Sequence, residues 1–134
     1  MRIAIVGGAG KMGRWLARAL VAGGQQVTLL DRGEARLEEA GRLVGASVAT
    51  DPSAVSGAGV LLLAVPINNF EEAVRAIAPF TTAGQIVLDV SSVKVMPVEV
   101  MHRYLPECLV LGTHPVFGPG AEGAAGQNVA VESA

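Results

Sequence analysis

Residues 2–6, Arg2-Ile3-Ala4-Ile5-Val6, form a short apolar run that passes directly into Gly7-Gly8-Ala9-Gly10-Lys11-Met12-Gly13, and a helical pattern follows at once. A strand, a glycine-rich turn and a helix in that order leave few folds open. The spacing Gly8-x-Gly10-x-x-Gly13 is that of a turn that brings backbone against a pyrophosphate. Gly8 reads as the residue that turns the chain tightly out of the strand. Gly10 has no side chain to hold a phosphate away, and Gly13 lets helix and strand pack closely. Ala9, Lys11 and Met12 complete the turn, where the helix N-terminus offers N–H groups and a partial positive charge.

With 17 glycines in 134 residues, such a spacing also arises by accident, so the flanking sequence decides. Met12, Trp15, Leu16, Ala19 and Leu20 recur at helical spacing and predict one buried face, with Arg14 and Arg18 turned outward. Gly23-Gly24 is the expected stop. A second strand, Val27 to Leu30, then delivers Asp31, about 20 residues past the glycines, where an acid holds the ribose hydroxyls of NAD. That acid repels the 2′-phosphate of NADP, so NAD is the expected cofactor. Arg32 keeps NADP open, because it could pair with that phosphate or stack on adenine; it reads equally as a solvated loop charge.

The alternation continues. Leu37, Ala40 and Val44 mark a second helix closed by Gly45, and a short strand lies around 47–49. Asp51-Pro52 is a helix start. The apolar run Val60 to Val65, bounded by Gly59 and Pro66, reads as a buried central strand. Phe70, Val74 and Ile77 give a further helix, Ile86 to Val90 a fifth strand, Val98 to Tyr104 a helix, and Leu109 to Leu111 a sixth strand. A last short strand is expected at 128–131. The fold class is α/β: a Rossmann-type, doubly wound, mostly parallel sheet in one dinucleotide-binding domain over residues 1–134.

Composition narrows the partners. Half the chain is apolar (51%) and 16% is charged, which suits a sheet buried on both faces. The net charge of −2 with scattered basic residues argues against nucleic acid and anionic membranes. No apolar run is long enough to span a bilayer and the N-terminus does not read as a signal peptide, so a cytoplasmic protein is expected. Cys108 is the single cysteine and reads as a small buried apolar residue, with no disulfide framework and no metal site.

Ligands of such sheets lie at the carboxyl ends of the strands. Val65-Pro66 there forms a rigid turn suited to wall the nicotinamide; Ser91, Ser92 and Lys94 follow strand five, and His114-Pro115-Val116-Phe117-Gly118-Pro119-Gly120 follows strand six. His114 has the chemistry of a general base near neutral pH, although a histidine hydrogen-bonded in a tight turn reads equally well by position. His102 reads as a solvated residue at a helix end.

Together, the glycine turn, Ala64-Val65-Pro66, Asp89-Val90-Ser91-Ser92-Val93-Lys94 and Gly112-Thr113-His114-Pro115-Val116-Phe117-Gly118-Pro119 resemble the prephenate dehydrogenase family, which includes the arogenate dehydrogenases of tyrosine biosynthesis. The resemblance implies an oxidative decarboxylation with hydride transfer to NAD(P)+, on prephenate or arogenate as small-molecule substrate. It implies His114 as the base for the ring hydroxyl and Ser92 as a hydrogen-bonding residue between hydroxyl and nicotinamide. It gives Lys94 no role. Where some members carry an acid after the His-Pro loop, this chain has Pro119-Gly120, and Glu122 matches only loosely. Family members continue into a helical domain that supplies a dimer interface and a carboxylate-binding arginine. This chain stops at Ala134, so weak turnover is expected of it alone, and a homodimer only with that domain. Two other readings stand beside this one: a different reductase with the same fingerprint, such as a deazaflavin-dependent NADP enzyme, and a non-catalytic nucleotide-binding module.

Overall fold

The structure, a computed structural model, describes residues 2–90, 95–115 and 129–133. One sheet carries β1 (Arg2–Val6), β2 (Gln26–Leu30), β3 (Ser47–Ala49), β4 (Val60–Leu63), β5 (Ile86–Asp89), β6 (Leu109–Pro115) and β7 (Val129–Ser133). The strand order is β3-β2-β1-β4-β5-β6-β7, with the first six parallel and β7 antiparallel to β6. The α-helices among the described residues are α1 (Lys11–Ala22), α2 (Glu34–Val44), α3 (Phe70–Ile77) and α4 (Val95–Tyr104), and the helix expected from Asp51-Pro52 is a short 3-10 helix, Pro52–Gly57. Strand order reverses between β1 and β4, the switch point at which doubly wound sheets form their crevice.

Continuous apolar strands arise because both faces of the central sheet are covered. Ile3 and Ile5 of β1 join Val27, Leu29 and Leu62 under Ala17, Leu37, Ala40 and Val44 of α1 and α2. Ala4 and Val6 point the other way, to Leu61, Leu63, Phe70, Val74, Ile77, Met101 and Leu105. The period of two along β1 and β4 thus assigns successive residues to opposite cores.

Three expectations need correction. In α1 the buried residues are Gly13 and Ala17, while Leu16, Leu20 and Val21 pack beside them. Trp15 and Ala19 are half-buried and Met12 lines a cleft, because the helix lies so close to the sheet that only small residues fit its central line. Arg14, expected outside, is also half-buried. Burial on both faces also fails beyond β4: on the α1 side Leu88 of β5 is half-buried and Leu109 of β6 is 56% exposed. Finally, β6 does not stop at Leu111. It runs to Pro115 because β7 pairs with residues 111–115, whereas the register with β5 ends at Asp89–Gly112.

Candidate functional site

The parallel register aligns the strand ends. Ala49, Leu30, Val6, Leu63, Asp89 and Gly112 are neighbours in one row across the sheet. The residues that follow them in the chain therefore meet at one edge: Thr50, Asp31, Gly7, Ala64-Val65-Pro66, Val90 and Thr113-His114.

At that edge lies a cleft of about 690 Å³, lined by Gly7, Gly10, Lys11, Met12, Asp31, Arg32, Arg36, Thr50, Val65, Pro66, Asn69, Glu72 and Val90, among others. Of the sequence-derived binding residues, Gly10, Lys11, Met12, Asp31, Arg32, Val65 and Pro66 face it directly. Gly8, Ala9 and Gly13 lie behind the wall and shape it.

Gly7, rather than Gly8, makes the turn. It has φ +89°, the left-handed region open to glycine, and a Cβ there would lie 2.7 Å from the Ala64 carbonyl oxygen. Gly8 is required by packing, since a Cβ would stand 2.6 Å from Leu29 Cβ. At Gly13 a Cβ would collide with the Gly7 carbonyl oxygen and lie 2.8 Å from Gly8 Cα. Gly10 differs: the nearest atom to its Cβ would be the Gly7 oxygen at 3.5 Å. The protein does not fill the space over Gly10, which fits a group seated against the backbone. Gly10 also caps α1 without a side-chain hydrogen bond, and no acid occupies the first turn, so the first N–H groups of the helix keep their capacity for an anion.

Asp31 ties the turn to the end of β2. Its Oδ2 accepts the Ala9 N–H at 2.9 Å and its Oδ1 accepts the Arg32 N–H at 2.8 Å. A carboxylate offers about four lone-pair sites, so acceptor capacity remains for two hydroxyls of a diol. The Ala9 N–H is thus committed to Asp31 and the Ala9 methyl is buried in the core, which makes Ala9 a structural member of the turn.

Arg36, Glu72, Thr50 and Asn69 escaped the sequence reading. Arg36 Nη2 donates to the Ala9 carbonyl at 3.3 Å. Arg32 Nη2 lies 2.9 Å from Glu72 Oε1 across the cleft mouth, with the two side chains 68% and 67% exposed. Glu72 carried no local signal, because it is forty residues from Arg32 in the chain and only the fold brings them together.

His114 sits near the end of β6, two residues beyond the strand-end row and opposite Ala130 of β7. Ser92 and Lys94, the stretch 116–120 and Glu122 lie outside the described residues. His102 is exposed in the last turn of α4, as expected of a solvated histidine. Cys108 is half-buried with its Sγ 3.7 Å from the Thr82 carbonyl oxygen, and burial pushes its thiol pKa up. Among the described residues no helix is long and apolar enough to cross a membrane, and no group of three metal-ligating side chains is found.

A family model described as "Prephenate dehydrogenase, nucleotide-binding domain" matches residues 16–131. The chain belongs to this family. The match begins inside α1, so the glycine turn with Ala9 precedes the matched residues, while Asp31 lies within them. A probable arogenate/prephenate dehydrogenase of Methanocaldococcus jannaschii is 30% identical over 121 residues, covering 89% of this chain and 27% of the relative. The crystal structure of Synechocystis arogenate dehydrogenase superposes with a TM-score of 0.84 at 26% identity, over 100% of this chain and 50% of that one. Aquifex aeolicus prephenate dehydrogenase, solved with hydroxyphenyl propionate and NAD+, shares the fold with a TM-score of 0.81 at 22% identity, over 98% and 50% of the two chains. The chain spans about a quarter of the curated relative and half of these structures. Within the prephenate dehydrogenase family it is the nucleotide-binding domain.

Proposed function

We propose that this chain is the cofactor-binding part of an NAD-dependent dehydrogenase acting on prephenate or arogenate. The observation that carries the reading is Asp31, whose carboxylate is held by the Ala9 N–H at the head of the cleft. There it accepts the ribose hydroxyls and repels a 2′-phosphate. The pyrophosphate rests over Gly10 and the first turn of α1, and Val65-Pro66 walls the nicotinamide. A protein of the same fold solved with NAD+ supports a nicotinamide dinucleotide as the ligand.

When bound, the nicotinamide supplies a hydride acceptor for the ring carbon that carries the substrate hydroxyl. His114 takes the proton of that hydroxyl as the carbon becomes a carbonyl. Ser92 orients the hydroxyl by hydrogen bonding. Loss of carbon dioxide leaves its bonding pair in the ring, which becomes aromatic, and the proton held at His114 returns to the phenolate oxygen. Prephenate gives 4-hydroxyphenylpyruvate by this route and arogenate gives tyrosine.

Calorimetric titration of the chain with NAD+ and, separately, NADP+ tests the cofactor half of the proposal. Saturable binding with NAD+ the tighter is expected. Failure of both nucleotides to bind would overturn it.

A further inference from the structure

We propose that Glu72 sets the cofactor preference of this cleft by holding Arg32 away from a 2′-phosphate, an inference that rests on reading the cleft as the dinucleotide site. Arg32 directly follows Asp31, the residue at the ribose. An arginine near that acid is the group that accommodates a 2′-phosphate in folds of this class. Here its guanidinium is engaged: Nη2 lies 2.9 Å from Glu72 Oε1, on the opposite wall of the same cleft. Glu72 stands in the first turn of α3, so the pair joins the end of β2 to α3 over the mouth of the cleft.

Two consequences follow from charge and geometry. The guanidinium fork that would grip a phosphate is turned toward a carboxylate. Glu72 also adds a second negative charge to that of Asp31 on the path of a 2′-phosphate. NAD+ carries no 2′-phosphate and is indifferent to both. The pair is too exposed to matter much for stability, so its effect is expected in selectivity rather than in folding. The other cation of this wall, Arg36, is directed to the Ala9 carbonyl instead, at 3.3 Å.

The test titrates NAD+ and NADP+ into the unsubstituted chain, Glu72→Gln, Glu72→Ala and the double variant Glu72→Gln/Arg32→Ala, at low and high salt. Removing the charge of Glu72 should tighten NADP+ by about three- to tenfold at low salt, less at high salt, as expected for a charge near the surface. NAD+ affinity should change far less than NADP+ affinity, and the melting temperature should not change. Removing Arg32 as well should abolish most of the gain, leaving only the part that comes from relief of direct repulsion. NAD+ binding with an unaltered NADP+ affinity in both Glu72 variants would overturn this inference alone, as would a gain that survives loss of Arg32 undiminished. Absence of NAD+ binding to the unsubstituted chain would overturn the cleft assignment and the inference with it.

Discussion

Gly10 and Gly13 belong to one motif but answer to different forces. At Gly13 the neighbours of a Cβ are backbone atoms of Gly7 and Gly8, which cannot move aside. Gly13→Ala should therefore lower stability by about 1–3 kcal/mol, the range for overpacking, read by denaturant unfolding. At Gly10 the nearest atom is 3.5 Å away, an ordinary contact. Gly10→Ala should fold with an unchanged unfolding midpoint yet weaken NAD+ by about 10- to 100-fold, the loss of one or two charge-assisted hydrogen bonds. Equal effects on stability at both positions would contradict this division. Asp31 also has two duties, which two substitutions separate. Asp31→Asn keeps an oxygen for the Ala9 N–H and removes the charge; titration should show the NAD+ over NADP+ preference falling by about tenfold. Asp31→Ala additionally strands that N–H, and should cost about 1–3 kcal/mol of stability.

Among the elements, α3 does the most with the fewest residues. Phe70, Val74 and Ile77 repeat at helical spacing and are all fully buried, so its eight residues are held by one apolar stripe. Phe70→Ala should cost about 3–5 kcal/mol in chemical denaturation. Since Glu72 shares the helix, the same variant should lose NAD+ over NADP+ discrimination before it unfolds. Helix ends followed the glycines: Gly24 and Gly45 have φ +88° and +77°. In contrast, no local pattern in the sequence marks Gln85. It is 5% exposed, donating from Nε2 to the Val55 and Ala58 carbonyls at 2.8 and 2.7 Å and accepting the Thr82 N–H at Oε1, at 2.8 Å. It fastens the turn before β4 to the start of β5, a role set by contacts some thirty residues away.

At the scale of the whole molecule, the sheet edge collects groups that are distant in the chain. Six parallel strands end in one row, and β7 extends β6 beyond it as an antiparallel ribbon that carries His114. On the proposed reading, His114 acts on the substrate while β1, β2 and α1 hold the dinucleotide. In whatever length of protein turns over prephenate, His114→Asn should therefore lower kcat by about 10²–10⁴-fold, followed by NADH formation, with NAD+ affinity unchanged. Turnover that survives the substitution would remove His114 from the mechanism.

The sequence by itself determined the strand–glycine–helix start, the α/β alternation, Asp31 at the end of the second strand and the resemblance to one enzyme family. These are local signals, read from spacing within a few turns of chain, and the same short-range sterics that write them also build the elements. Tertiary structure alone decided which glycine turns and which only makes room, that Ala9 is committed to Asp31, and that one half of the sheet is covered on both faces while Leu109 is left exposed. It also decided that Arg32 meets Glu72. Close approach and charge pairing between distant segments depend on strand order, and the crossover that places α3 opposite β2 is not encoded in the neighbourhood of either residue.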